Sequence, residues 1–422
     1  MRILLATDAF PPVCGGSGWS TYELARQLRD RGHDIVVVQP QPGSEPGPHA
    51  TSYDGLRLIE FGAAAPAVPY VRNYFKNERL RVLLGDFLTS LISEESVDLI
   101  HGQHVLTSLP SIDAARRTDV PVVCTVRDYW PVCYWSDLIY TTDGRALCPA
   151  CSPTMMTRCI RPRAGAAWPL ALPMIPYMLG NLRRKRTGLA TADAVVAVSS
   201  TIATDLRARA PELANTRLQI IPNPVSVHEL RARAARLDPQ MSGEYALYLG
   251  KLAPNKGTDH LIDVITRAEL DWPLVVVGDG PDRAAITAEA GQSGRDIRFT
   301  GWVNQDSAAA WLAHAAMLIF PSRGPESLSR VLIEASALGV PIAAMNTGGT
   351  IDIVVNQETG LLSTTPEQLA EDVRRLRSDE GLRRTLGAAA RIRAEQLFDA
   401  ASVTARFDQL YTELTSPKRR SR

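Results

Sequence analysis

Acidic residues are missing from one long stretch. Between Gly144 and Ala192 there is no Asp or Glu, yet Arg145, Arg158, Arg161, Arg163, Arg183, Arg184, Lys185 and Arg186 all fall there. The formal net charge of the whole chain is only +1, so overall charge gives no reason to expect a nucleic-acid partner. Cysteine is scarce, with six in 422 residues, which speaks against a disulfide scaffold and for a reduced compartment. The opening apolar run, Ile3 to Ala6, is too short for a secretory segment and meets Asp8 at once. It reads as a first strand and implies a cytoplasmic start. Nor does any charge interrupt Ala164 to Leu182, a length approaching a membrane span. Pro169, Pro173 and Pro176 argue against one continuous transmembrane helix there. Two readings remain for this arginine-flanked, aromatic segment: shallow contact with an anionic lipid surface or lipid-linked acceptor, or a helix packed on the first domain with a solvated basic end.

What is present is an ordinary globular composition, 45% hydrophobic and 22% charged, in a chain long enough for two cores. Short apolar runs alternate with helical stretches (Ile3 to Ala6, Ile35 to Val38, Leu99 to His101, Val120 to Val126, Ala194 to Val198), the pattern of parallel sheets covered by helices. The alternation restarts after Ser242, at Ala246 to Leu249, Leu274 to Val277, Ile297 to Thr300, Met317 to Phe320 and Ile342 to Met345. Pro222-Asn223-Pro224 reads as a stiff connector. The expected division is therefore 1–222, 223–399, a helix about 400–416 able to pack back on the first domain, and a basic tail 417–422. Residues 40–48 read as a Pro/Gly loop.

In doubly wound sheets, ligands sit beyond the carboxyl ends of strands. After the first strand comes Pro11-Pro12-Val13-Cys14-Gly15-Gly16-Ser17-Gly18, which can bring backbone against an anion or simply make a tight turn. No Gly-Lys-Ser/Thr closes it, so it is not a Walker A loop. The first strand of the second half leads into Gly250 to Gly257, where Lys251 and Lys256 suit a diphosphate or are solvated surface lysines. Gly278 opens a similar loop. Pro325 to Glu334 places Glu326 at an expected helix start and Glu334 eight residues on, about 12 Å along an axis. Apolar neighbours surround Glu334, so a buried carboxylate needing a partner is expected. The amides of Ser327, Leu328 and Ser329 would face an anion between the glutamates. The plainer alternative is that Glu326 favours the helix dipole and Glu334 pairs with a basic neighbour.

Taken together, these motifs resemble glycosyltransferase family 4 over nearly the whole chain. The resemblance implies an α/β chain of two Rossmann-like domains facing across a cleft (GT-B), and retaining transfer from a nucleotide diphosphate sugar (UDP- or GDP-sugar) with no metal or other cofactor. It implies that Glu326 contacts donor-sugar hydroxyls, Glu334 the ribose diol, and Lys251 and Lys256 the diphosphate. Gly16 would approach the donor from the other domain, and Gly278 and residues 327–329 would line it. The leaving diphosphate would accept the acceptor's proton. Two departures fall on the acceptor side. In Asp98 to His104 the family's histidine position holds Gln103, with His104 one residue on, and its Thr-x-His-Asp appears as Thr125-Val126-Arg127-Asp128. His104 thus stands as a catalytic candidate, and Gln103, Arg127 and Asp128 as acceptor-side candidates, beside the plainer reading that His101 and His104 are ordinary strand-end histidines.

Cys133, Cys148, Cys151 and Cys159 include one Cys-x-x-Cys and admit a structural zinc, buried thiols or a disulfide. The expected function is transfer of a hexose-type sugar to a lipid-linked, polysaccharide or other glycoconjugate acceptor, with peripheral attachment to the inner face of the cell membrane through 158–186. A nucleotide-sugar epimerase and a noncatalytic nucleotide-sugar-binding protein are the alternatives.

Overall fold

The structure, a computed structural model, describes residues 1–67, 71–141, 147–238 and 240–416. Arg145 and the basic tail 417–422 lie outside the described residues. The chain forms two α/β units, each built on a largely parallel sheet.

The first unit comprises Met1–Ser136, Tyr177–Pro224 and residues 400–416. Its strands are β1 (Arg2–Ala6), β2 (Asp34–Pro42), β3 (Gly47–Tyr53), β4 (Leu56–Ala63), β5 (Leu99–Gly102), β6 (Val122–Val126), β7 (Ala194–Ala197) and β8 (Leu218–Ile220). They lie in the order β3-β4-β2-β1-β5-β6-β7-β8. All neighbours are parallel except β3 and β4, a hairpin closed by Asp54 and Gly55 at φ 50° and 72°, the pair of positive values that a two-residue turn favours. The expected loop over 40–48 is therefore mostly strand. β2 runs on to Pro42, past its pairing with β1, which ends at Val38, so Pro40 and Pro42 keep only β4 as a neighbour. The helix Ala400–Thr415 lays Val403, Phe407, Leu410, Tyr411 and Leu414 into a core with Ile3, Leu5, Leu24, Leu28 and Val37.

The second unit comprises Asp137–Pro176 and Val225–Asp399. Its sheet is wholly parallel, built from β9 (Ala246–Leu249), β10 (Leu274–Val277), β11 (Ile297–Gly301), β12 (Met317–Phe320), β13 (Ile342–Met345) and β14 (Leu361–Ser363) in the order β11-β10-β9-β12-β13-β14. Such strands are buried on both faces, and β10, β12 and β13 are buried at every position.

Residues 137–176, which sequence order assigns to the first domain, group with the second unit. The chain turns through left-handed Ser136 and Leu138 (φ 64° and 54°). Arg163 then holds the returning segment by donating to the Asp137 carboxylate at 2.9 Å and the Ile139 carbonyl at 2.8 Å. Ile139 in turn packs against Gly324. The uncharged stretch is a chain of short pieces: helix Pro153–Ala164, a turn at Gly165–Ala167, helix Trp168–Ala171, a turn at Leu172–Met174, and the start of Ile175–Leu189. Pro169 and Pro173 each fall in the first residues of a piece, where a missing N–H costs nothing. Among the described residues no helix is long and apolar enough to cross a membrane.

Candidate functional site

Each sheet has one point where the strand order reverses, the place at which doubly wound folds bind ligands. In the second unit it lies between β9 and β12, and in the first between β1 and β5. Most of the residues singled out from sequence follow these four strands or their neighbour β6.

In the second unit, Lys251 and Lys256 follow β9 and Glu326 follows β12. Lys256 Nζ lies 2.6 Å from Glu326 Oε1, and the Ser322 hydroxyl donates to the same oxygen. Glu326 is buried, at 8% exposure, whereas Lys251 faces solvent. Two close backbone approaches fix this pair. Gly257 sits at φ 68°, and a Cβ there would stand 1.9 Å from the Pro321 carbonyl oxygen. Gly348, at φ 50°, lies under Glu326, whose carbonyl a Cβ would meet at 2.1 Å, and the Gly349 N–H donates to that carbonyl at 2.6 Å. The Tyr248 hydroxyl donates to the Lys251 carbonyl at 2.9 Å. The Gly278 N–H donates to the Gly301 carbonyl, also at 2.9 Å, joining the loop after β10 to the end of β11.

The two glutamates do not share a helix. The helix runs Arg330–Leu338 with Ser329 as its N-cap, so Glu326 and residues 327–329 precede it. Glu334 is partly exposed rather than enclosed, and Arg330 Nε lies 2.8 Å from its Oε1. The basic neighbour one turn earlier meets the carboxylate.

In the first unit, His104 caps the helix Val105–Thr118 after β5. The Asp8 N–H donates to His104 Nδ1 at 3.3 Å, and the Thr7 hydroxyl is 3.1 Å from the same nitrogen. The Asp8 carboxylate accepts from the Leu106 N–H at 3.1 Å. Gln103 is fully buried. Its Oε1 accepts from Arg127 Nη2 at 2.5 Å and its Nε2 contacts the His101 ring at 2.8 Å. Arg127, also buried, donates through Nη1 to Asn223 Oδ1. His101 completes the chain with Tyr411 Oη at 2.5 Å and Thr125 Oγ1 at 2.7 Å. Burial, with the Arg127 charge second, holds both histidines well below the usual histidine range, so both are neutral. Burial also pushes the Asp8 carboxyl up to about 7 and that of Asp128 to about 6, and brings Lys185 down to about 8. Lys185 lies over the Tyr134 ring, 5.9 Å from its centroid. Asp8, Lys185, Asn223 and Tyr411 were not among the candidate site residues read from sequence. Asp8 stood out there only as the first acid after β1, Lys185 only within the basic run and Asn223 only within the proline-flanked connector.

Gly16 is exposed at the start of helix Gly16–Asp30, capped by Gly15. Cys133 belongs to the first unit, while Cys148, Cys151 and Cys159 belong to the second. Among the described residues, no group of three or more His, Cys, Asp or Glu is placed to hold a metal ion.

Comparison with known proteins bears on both units. Residues 14–229 match the family model described as Glycosyltransferase Family 4, and residues 243–379 match Glycosyl transferases group 1. The chain is 26% identical to a glycogen synthase of Mycobacterium tuberculosis, over 97% of this chain and 94% of that one. It is 24% identical to a D-inositol 3-phosphate glycosyltransferase of Jonesia denitrificans, over 90% and 87%. Among solved structures, Anabaena HepE in complex with UDP superimposes with a TM-score of 0.66 at 17% identity, over 98% of this chain and all of that one.

Proposed function

Because the chain belongs to glycosyltransferase family 4, with the GT-B fold and a nucleotide sugar as donor, we propose that it moves a hexose-type sugar, with retention, to a lipid-linked, polysaccharide or other glycoconjugate acceptor. The supporting observation is the Lys256–Glu326 pair at the strand-order reversal of the second sheet. A buried carboxylate costs free energy that packing alone does not require, and here a lysine, a serine and two close glycine contacts hold one in place. A sugar-diphosphate uses both charges: Glu326 accepts from sugar hydroxyls while Lys256 meets the diphosphate as its charge grows. Lys251, exposed beside it, adds a second cation but lacks the fork an arginine would bring. Within the second unit Glu334 takes the ribose diol, and Gly278, Ser327, Leu328 and Ser329 supply close backbone; Gly16 is the first unit's backbone candidate. His104, Gln103, Arg127 and Asp128 act on the acceptor side, and the departing diphosphate takes the acceptor's proton without a metal.

UDP-sugars are the first donors to test, since HepE was solved with UDP. A nucleotide at about 100 times its Kd adds about 2.7 kcal/mol of stability, which a thermal-shift screen of UDP-, GDP-, ADP- and dTDP-glucose resolves. Glu326→Ala then abolishes transfer while nucleotide binding survives, and EDTA leaves transfer unchanged. A screen in which no nucleotide raises the melting temperature overturns the donor assignment. An anionic lipid surface is the proposed partner of 158–186, carried by its first part, where Leu170 is 83% exposed and Arg161 flanks Trp168 at 5.7 Å, because Lys185 is buried and Arg163, Arg184 and Arg186 pair with Asp137, Glu78 and Glu212. Absence of flotation with anionic liposomes at low salt removes that partner.

A further inference from the structure

Gln103 and Arg127, the two residues that depart from the family pattern, touch each other. Arg127 follows β6 and Gln103 follows β5, adjacent parallel strands, so their carboxyl ends lie side by side. One guanidinium spans two amide oxygens, Gln103 Oε1 and Asn223 Oδ1. It thereby ties the loop after β5 to the proline-flanked connector beyond β8. A lysine offers its donors from a single point rather than from a planar fork, and a neutral histidine has only one donor.

The loop held by this fork carries His104, whose ring nitrogens differ. Nδ1 faces the Asp8 N–H, which can only donate, so Nδ1 is the acceptor and the proton is on Nε2. The Thr7 hydroxyl, 3.1 Å from Nδ1, is in reach to donate to the same nitrogen, with the Ala9 carbonyl at 2.9 Å as its other acceptor. His104 is 8% exposed, and its Nε2 is buried without a hydrogen-bonding partner among the described residues. A buried N–H left so costs free energy unless a ligand oxygen meets it. It stands at the strand-order reversal of the first sheet.

We propose that Arg127 is a positioning residue which, by its fork across Gln103 and Asn223, fixes the loop after β5 so that His104 presents Nε2–H to a hydroxyl or ring oxygen of a sugar substrate. His104 is then a hydrogen-bond donor, not a base. Besides Arg127, the titratable groups bearing on the ring are Asp8 after β1 and His101 within β5, with Asp128 acting on Asp8. The Arg127 charge and burial both oppose a second proton on the ring, which would also displace the Asp8 N–H.

The inference rests on the transferase reading only in its kinetic arm. The full chain labelled with 15N-histidine has seven imidazoles to resolve, and loss of one signal in His104→Gln assigns the ring. Wild type at neutral pH should show His104 as the neutral Nε2–H tautomer. Arg127→Lys keeps the charge and removes the fork. It should broaden or mix the tautomers and lower kcat by about 10- to 100-fold, with KM for the nucleotide sugar within about twofold. Should Arg127→Lys fail to fold, Gln103→Ala cuts one arm and should do the same more weakly. An imidazolium or Nδ1–H form in wild type overturns the proposal, as does unchanged tautomer or unchanged kcat in the folded variants. If no nucleotide sugar is turned over, the transferase reading is what fails, and the wild-type and variant spectra alone decide the clamp.

Discussion

Replacing Lys256 by methionine tests the pairing at the centre of the candidate donor site. The substitution keeps most of the aliphatic stem and removes the charge 2.6 Å from Glu326 Oε1. The glutamate side chain is 9% accessible, so its carboxylate would keep only the Ser322 hydroxyl. Breaking a fully buried pair costs about 3–5 kcal/mol, but the lysine side chain is 31% accessible and water screens part of the interaction. About 2 kcal/mol is therefore expected. For a unit of this size that lowers its melting temperature by about 4–8 °C. Calorimetry of Lys256→Met, Glu326→Gln and the double variant closes a thermodynamic cycle. The double variant has no buried charge left to strand, so the cycle should show about 1–2 kcal/mol of coupling. Coupling under about 0.3 kcal/mol would refute the reasoning, because the lysine would then be a solvated side chain that happens to lie near the glutamate.

Three further outcomes are expected. A carboxyl with a raised folded pKa binds more protons folded than unfolded, so Asp8 should make stability fall as pH rises from about 4 to about 7. Melting of Asp8→Asn across that range should flatten the fall, and an unchanged slope contradicts the assignment. Gly257→Ala combines φ 68° with a 1.9 Å clash on the Pro321 carbonyl, so a loss above about 2 kcal/mol is expected in denaturant titration. Tyr411→Phe removes the hydroxyl 2.5 Å from His101 Nδ1 in a fully buried setting. It should cost the first unit about 1–2 kcal/mol, and a neutral result would show that Gln103 alone satisfies that nitrogen.

The central strands of both sheets were legible in the alternation of short apolar runs, because a strand buried on two faces cannot hide its composition. β3, β4, β8 and β14 were not among them; β3 and β8 are exposed or partly so and carry no core pattern. The glutamates illustrate a different limit. Apolar residues all round Glu334 suggested enclosure, yet Arg330, one turn earlier, is long enough to reach the carboxylate where the surface is open. Arg127 and Gln103 were visible as departures, but their contact joins residues 24 apart that follow adjacent strands. Such a contact follows from strand order, which local periodicity does not encode. The link from His101 to Tyr411 spans 310 residues and left no local trace.

The placement of helix Ala400–Thr415 in the first unit's core bears on the order in which the protein is made. During synthesis the strands of that unit emerge early, but their apolar face stays uncovered until residues 400–416 leave the ribosome. The second unit, complete by Asp399, can finish folding first, although it begins later in the sequence. A nascent chain of which Asp399 but not residues 400–416 has left the ribosome should therefore hold a whole second unit beside a sticky, half-built first one. That interval is when a chaperone would find something to bind.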